Sequence, residues 1–312
     1  MGNGRGMHRE HDAEGPLTRQ QLMTAGLSDQ ARRGRKYERV FHGVYAPLDA
    51  APTLRMRAAA ALLVAPDGAA VARQTAARLW DGVVPAVADV HLTLRPGSRL
   101  RVAGIDARVR AVTTLTTRGG LLVTTPSQTF VDLSTELGLV DLVVLGDSMV
   151  RAGRVTPAEL IQAASDVTGC RRRPSLRAAG LVRAGVDSPM ETRLRLLIVL
   201  AGLPEPVVNV AIRDDGGRVV YRLDLGYPQV RVAVEYDGRQ HAENTAQWRW
   251  DVRRREELES DGWRLVVVLS GDIYRDPART LARVMAALRD RGVRVAVSGP
   301  RWRQHFPQSA GW

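Results

Sequence analysis

Val232-Ala233-Val234-Glu235-Tyr236-Asp237-Gly238 is the stretch that decides how this chain reads. Its apolar run, extended back to Val230, predicts a strand over Val230–Asp237, and Asp237-Gly238 marks its end. So apolar a strand belongs inside a sheet. An acid embedded there is costly unless it is paired or holds a cation. Period-two alternation puts Glu235 and Asp237 on the same face.

Upstream, Val219–Leu225 predicts a second strand with its own embedded acid, Asp224, between Leu223 and Leu225. Asp214-Asp215-Gly216-Gly217 joins it as a hairpin to a first strand, Val207–Ile212. Ser188-Pro189-Met190-Glu191 is a helix start. Leu194, Leu197, Ile198 and Ala201 supply that helix's buried stripe, and Gly202 ends it. Downstream come a charged helix over Thr245–Ser260, a strand over Trp263–Leu269 apolar enough to be buried on both faces, and a helix over Pro277–Arg289. The expected order is α-β-β-β-α-β-α. Asp224, Glu235 and Asp237 then converge from neighbouring strands, with Glu191 offering a fourth oxygen directly or through water. A hard divalent ion such as Mg²⁺, which prefers oxygen ligands, would relieve their repulsion. Plainer roles stand beside these. Glu191 also fits a capping acid, Asp237-Gly238 a simple turn, and Asp251 with Arg254 an i, i+3 helix pair. Trp248 and Trp250 suit base stacking, although burial is the stronger expectation.

At the other end, residues 1–15 read as a disordered tail; His8 and His11, at i, i+3, could hold a metal, but a solvated tail is the stronger expectation. Thr18 and Gln21 have capping-box spacing ahead of Leu22, and Ser28 caps a second helix running to Lys36. Tyr37–Phe41, His42-Gly43 and Val44-Tyr45 read as strand, turn and strand. Helix, turn, helix and hairpin outline a winged helix-turn-helix over residues 16–47. Its basic helix presents Arg32, Arg33, Arg35 and Lys36 to DNA. Residues 48–185 form a mixed α/β connector. Helices are expected over Leu54–Val64, Ala70–Trp80, Ser127–Leu137, Val140–Arg151 and a segment capped by Thr156 with Glu159. Strands are expected over Asp89–Leu94, with a structural His91, and over Leu121–Thr124. Arg171-Arg172-Arg173-Pro174 reads as a basic surface loop, with phosphate contact as the weaker alternative. The nuclease-type region covers 186–295, and 296–312 is a tail.

The 312 residues are 45% hydrophobic, enough for a sizeable core, and 25% charged, which argues against wholesale disorder. Cys170 is the single cysteine, so neither an internal disulfide nor an all-thiolate metal site can form. No apolar run reaches membrane length, and MGNGRGMHREHDAEG lacks the core of a signal peptide. The expected location is cytoplasmic, with no membrane partner. A net charge of +12 favours a polyanion, most simply DNA. A protein partner or a homodimer is left open. Lys36 is the only lysine, so the basic excess is arginine.

Ser188-Pro-Met-Glu191, Asp224, Val-Glu235-Tyr-Asp237-Gly238, His241, Asp251-x-x-Arg254 and Gly262-Trp263 together resemble the PD-(D/E)xK superfamily. Within it they resemble a family related to the very-short-patch-repair (Vsr) endonucleases, over roughly residues 186–290. Residues 16–165, with Gly43-Val-Tyr45, are similar to the N-terminal region of AbiEi-type antitoxins of type IV toxin–antitoxin systems. Actinobacterial proteins carry both parts. The resemblance implies a restriction-endonuclease-like mixed sheet with flanking helices, preceded by the winged helix and the α/β connector. It implies a DNA endonuclease dependent on Mg²⁺ or Mn²⁺, with Asp224 the principal metal ligand, Glu235 the second acid and Glu191 the helical acid. His241 would position or activate water, and Arg254 would stabilise phosphate charge. One departure stands out: the signature lysine falls at position 237, which is Asp here. The alternative is a non-catalytic DNA-binding regulator, or an antitoxin-like protein, with a degenerate nuclease fold.

Overall fold

The computed structural model describes residues 15–24, 36–48, 53–111, 114–238 and 245–306. The chain divides into two compact units. One comprises residues 1–80 and 85–132; the other comprises 81–84 and 133–312.

The N-terminal unit starts with β1 (Leu17–Thr18), α1 (Arg19–Thr24), β2 (Tyr37–Phe41) and β3 (Val44–Pro47). The strands form an antiparallel sheet in the order β1-β3-β2. The Thr18–Gln21 capping box is present: the Thr18 N–H donates to Gln21 Oε1 (2.8 Å), and the Gln21 N–H donates to Thr18 Oγ1 (3.2 Å). Leu22 is buried behind it. Gly43, at φ +78°, closes the hairpin in a conformation that L side chains resist. Arg32, Arg33 and Arg35 of the expected basic helix lie outside the described residues. Lys36 sits just before β2, where its carbonyl accepts the Leu48 N–H (2.9 Å).

After α2 (Leu54–Leu63) comes the first departure from the sequence reading. Residues 70–80 are not one helix. Ala70–Val71 form β4, and only Arg73–Leu79 are helical, as α3. Ala70 and Val71 are fully buried and pair with strands on both sides, so sheet contacts override the local helix propensity of the Ala-rich run. The sheet is completed by β5 (Val90–Leu94), β6 (Ile105–Val109), β7 (Leu115–Arg118) and β8 (Leu121–Thr124), in the order β6-β5-β4-β8-β7. Two of these strands, β6 and β7, had no clear pattern in the sequence. His91 in β5 is structural: Thr75 Oγ1 accepts its backbone N–H (2.9 Å) and lies 3.2 Å from its Nδ1. The last helix here, α4 (Pro126–Leu133), carries the boundary between the two units.

In the C-terminal unit, α5 (Leu139–Arg151), α6 (Pro157–Asp166) and α7 (Arg172–Ala179) precede the sheet. The Thr156–Glu159 capping box opens α6. Arg172-Arg173-Pro174, read as loop, instead starts α7, whose Ser175, Ala178 and Ala179 are buried. A proline in the first turn costs a helix no hydrogen bond. Next, α8 (Pro189–Leu200) is capped by Ser188 and ends in a Schellman motif, with Gly202 N–H on Val199 O (3.0 Å) and Leu203 N–H on Ile198 O (3.2 Å).

The sheet holds β9 (Val207–Arg213), β10 (Val219–Tyr227), β11 (Val232–Tyr236) and β12 (Arg264–Val268), in the order β12-β11-β10-β9. β9, β10 and β11 are antiparallel neighbours, and β12 joins β11 in parallel after a crossover through α9 (Thr245–Ser260). The third strand starts later than its apolar run suggests. Pro228–Val230 form a 3₁₀ turn, and Arg231 adopts a left-handed conformation (φ 50°) before β11 begins. Another Schellman motif, at Gly262 (φ +79°), turns α9 into β12. Leu223, Ala233, Leu258 and Trp263 pack between sheet and helix. β12 is an edge strand rather than one buried on both faces, and its Leu265 and Val267 remain half-buried. A short α10 (Ser270–Tyr274), unforeseen in the sequence, leads to α11 (Pro277–Asp290). Residues 296–306 do not behave as a tail. Trp302 and Phe306 are buried around a 3₁₀ turn at Arg301–Gln304. No described helix is long and apolar enough to cross a membrane.

Candidate active site

Two strands stop pairing at the acids. The β10–β11 ladder runs from Tyr227↔Val232 to Leu225↔Val234 and goes no further. At the next position Asp224 Oδ2 accepts the Tyr236 N–H (2.8 Å), so a carboxylate takes a donor that a continuing ladder would have used. β11 stays paired with β12 through Tyr236↔Val268, and the Asp237 N–H donates to Val268 O (2.9 Å). A cleft of about 560 Å³ lies at this divergence. Asp224, Glu235 and Asp237 line it from the strands, and Trp250 and Arg254 line it from α9.

Glu235 is 9% exposed. Arg254 neutralises it with a two-pronged contact, Nη1 to Oε2 at 3.0 Å and Nη2 to Oε1. Nη2 also donates to Arg222 O (3.1 Å), which ties the guanidinium to β10. Arg254 therefore holds an acid rather than standing ready for phosphate, and it reaches across the sheet. It also lies over the Tyr221 ring, 5.7 Å from the centroid. Tyr221 donates to Glu257 Oε2 (2.6 Å) and meets Trp250 edge-on at 5.9 Å. Trp250 is 50% exposed, so the expectation of burial is corrected: the indole forms part of the cleft wall.

Among the described residues, Asp224 has no such counter-ion of its own. Burial pushes its carboxyl up to about 7, and the charges of Glu191 and Glu235 push the same way. The Tyr236 N–H and Arg254 oppose them without cancelling them. Glu191 stays on α8, where Oε2 accepts the Asp187 N–H (3.0 Å) and its own N–H donates to Ser188 Oγ (3.1 Å). It acts as the capping acid and also adds negative charge beside Asp224. His241 lies outside the described residues.

The donor chemistry at Asp224 and Glu235 suits a divalent cation, because both offer hard carboxylate oxygens and a bound cation would offset the burial and the neighbouring acids that disfavour ionised Asp224. Among the described residues, no group of three or more His, Cys, Asp or Glu side chains is already arranged to hold a metal. Trp250 was considered for base stacking, but Tyr221 and Arg222 were not singled out in the sequence as site residues; they line the cleft from β10.

Residues 209–288 match the restriction-endonuclease-like family model REase_MTES_1575, from β9 into α11. Over 270 residues the chain is 30% identical to "Uncharacterized protein MT2308" and to "Uncharacterized protein Rv2248", from two strains of Mycobacterium tuberculosis. Each alignment covers 86% of this chain and 96% of the relative. A crystal structure of the RV2827C protein from M. tuberculosis overlaps 66% of this chain and 81% of its own, at 18% identity and a TM-score of 0.40. With nearly the whole length of the mycobacterial relatives covered and a nuclease-type sheet at its C-terminal end, this chain belongs to the family of MT2308 and Rv2248 and carries a restriction-endonuclease-like domain.

Proposed function

We propose that this protein is a metal-dependent DNA endonuclease of the Vsr-like PD-(D/E)xK type, hydrolysing phosphodiesters at the cleft between β10 and β11. The observation that carries this reading is Asp224, a cleft carboxyl held near neutrality by burial and by two further acids. In this proposal Asp224 and Glu235 hold Mg²⁺ or Mn²⁺, with Glu191 behind them. When bound, the ion supplies electrophilic polarisation of the scissile phosphate. Asp224 stays ionised at neutral pH in that state, since an adjacent cation favours the charged form. Were Glu235 to hold the ion, the planar fork of Arg254 would be available to a phosphate oxygen. Asp237 occupies the signature-lysine position and, with His241, would orient the attacking water. Trp250 and Tyr221 wall the site on the α9 side.

In the same reading residues 16–47 act as a winged helix-turn-helix with Arg32, Arg33, Arg35 and Lys36 on DNA. Residues 48–185 form an AbiEi-like connector, 186–295 form the Vsr-like domain, and the protein works in the cytoplasm, with a protein partner or a homodimer left open. Incubation with supercoiled, mismatched and single-stranded DNA tests it. Cleavage with Mg²⁺ or Mn²⁺, blocked by EDTA and by Asp224→Asn, is the expected outcome.

A second reading rests on a specific observation, the Arg254–Glu235 pair beside an aspartate at position 237. An arginine in place of a cation suits a degenerate site in a DNA-binding regulator. DNA binding without cleavage, and without Mg²⁺ binding by calorimetry, would favour it.

A further inference from the structure

A second open depression, of about 570 Å³, lies where α7 meets the Arg301–Gln304 turn. Arg173, Pro174, Arg177, Arg301 and Gln304 line it. Arg173 and Arg177 stand one turn apart on the exposed side of α7, whose other side is buried. Arg301 is carried by a turn anchored through buried Trp302. The three guanidinium groups therefore project from fixed backbone.

Nearby arginines have partners: Arg172 donates to Ser165 O (2.5 Å), Arg183 pairs with Glu205 (2.9 Å), and Arg303 lies over Trp302 (4.7 Å). Among the described residues, Arg173, Arg177 and Arg301 form no ion pair. Their local setting is unfavourable. Arg173 and Arg177 repel as like charges at i, i+4, and Arg173, in the first turn, also opposes the helix dipole. Arg177 approaches a further basic group, His305, with Nη2 at 3.3 Å from Nε2, and Gln304 Nε2 lies 3.0 Å from the same nitrogen. An arginine can only donate, so an Nε2 that accepts from Arg177 belongs to a neutral ring. Burial first, then the Arg177 charge, holds the His305 pKa below its ordinary value.

We propose that this groove binds the phosphate backbone of duplex DNA, as a contact additional to the cleft at Asp224. Three forked donors suit phosphate oxygens. The lining holds no aromatic ring and one apolar side chain, Pro174, so it offers nothing to stack on a base. The contact is therefore independent of sequence. The same lack of an apolar anchor argues against a lipid surface. The choice of DNA rests on the nuclease reading; the affinity for polyphosphate does not.

The full-length protein in EDTA, titrated with a fluorescent duplex over a range of salt, tests the groove without involving cleavage. Changing Arg173, Arg177 and Arg301 together to Gln should flatten the log–log salt dependence by about 2 to 3 units. Affinity should fall at least tenfold, with the melting temperature unchanged or raised. The triple Lys variant should keep the slope, since charge is retained. Removing the same charge elsewhere, at Arg264, Arg275 and Arg279, should leave the slope closer to wild type. The proposal is overturned by an unchanged slope in the Gln variant, by an equal loss in the control, or by loss in the Lys variant. Wild type that binds no duplex overturns it too, as does loss of binding to anionic vesicles with the DNA slope intact. Failure to cleave any DNA would sink the nuclease reading while leaving this slope to be measured.

Discussion

Asp147 and Asp224 lie in the same unit, and burial raises the pKa of both, but their surroundings are built to opposite ends. Asp147 sits among helices. Its carboxylate accepts from Thr192 Oγ1 (2.8 Å), the Arg183 N–H (2.8 Å) and Arg195 Nη2 (3.0 Å). Arg195 is fully buried and also reaches Glu205 Oε1 (3.1 Å) and Leu181 O (2.8 Å). Nearly every polar atom there has a partner, and the network ties α5 to α8. Asp224 faces a cleft, keeps one backbone hydrogen bond, and shares its surroundings with two more acids. A raised pKa alone therefore does not mark a site. Unbalanced charge at an accessible surface does.

The largest expected effect comes from breaking the satisfied network. Arg195→Met should cost about 3–5 kcal/mol, because it leaves Asp147 buried and uncompensated. Urea unfolding measures it. A loss below about 1 kcal/mol would mean that water reaches Asp147 and that the contrast is overstated.

Asp224→Asn should act in the reverse sense. The carboxyl titrates at about 7 in the folded chain against an ordinary 3.8. Its protonated form therefore supports folding below about pH 4, and that support is lost as pH rises to about 7. Without metal, wild type should lose about 1–3 kcal/mol across this window, allowing for solvent screening at the cleft. The Asn variant should lose less and be the more stable form at about pH 8. Mg²⁺ should stabilise wild type alone. Parallel melting curves from about pH 4 to pH 8, with and without Mg²⁺, decide this. An Asp224→Asn variant less stable than wild type at the alkaline end would give Asp224 a structural role.

Arg254→Gln separates the two acids of the cleft. Glu235 loses its counter-ion, so stability without metal should fall by about 1–2 kcal/mol. Divalent affinity should rise roughly 3- to 10-fold, since a competing cation is gone. Weaker Mg²⁺ binding by calorimetry would instead make Arg254 an organiser of Glu235. The smallest effect is expected for Tyr221→Phe, which removes an exposed bond to Glu257 and should cost under about 1 kcal/mol.

Elements written in local chemistry could be read directly from the sequence. Leu121–Thr124 and Thr245–Ser260 form as expected. The Thr156–Glu159 box, the Ser188 cap and the Asp214–Gly217 turn also need only neighbours in the chain. Asp224 and Glu235 stood out because acids interrupt apolar strands, and both line the cleft.

What remained hidden depended on partners far along the chain. Ala70–Val71 is a strand because β5 and β8 flank it, and β6 is one because β5 supplies its hydrogen bonds. Arg254 forks Glu235 from 19 residues away, although its nearer acid, Asp251, offered the plainer pairing. Trp302 is buried in a segment whose composition reads as tail. The sequence by itself determined where acids sit within strands and where helices start and stop, since those follow from side chains within one or two turns. Tertiary structure alone decided which carboxylate is paired with an arginine and which is pushed toward its protonated form, because that balance depends on the burial and the counter-ions that distant elements bring together.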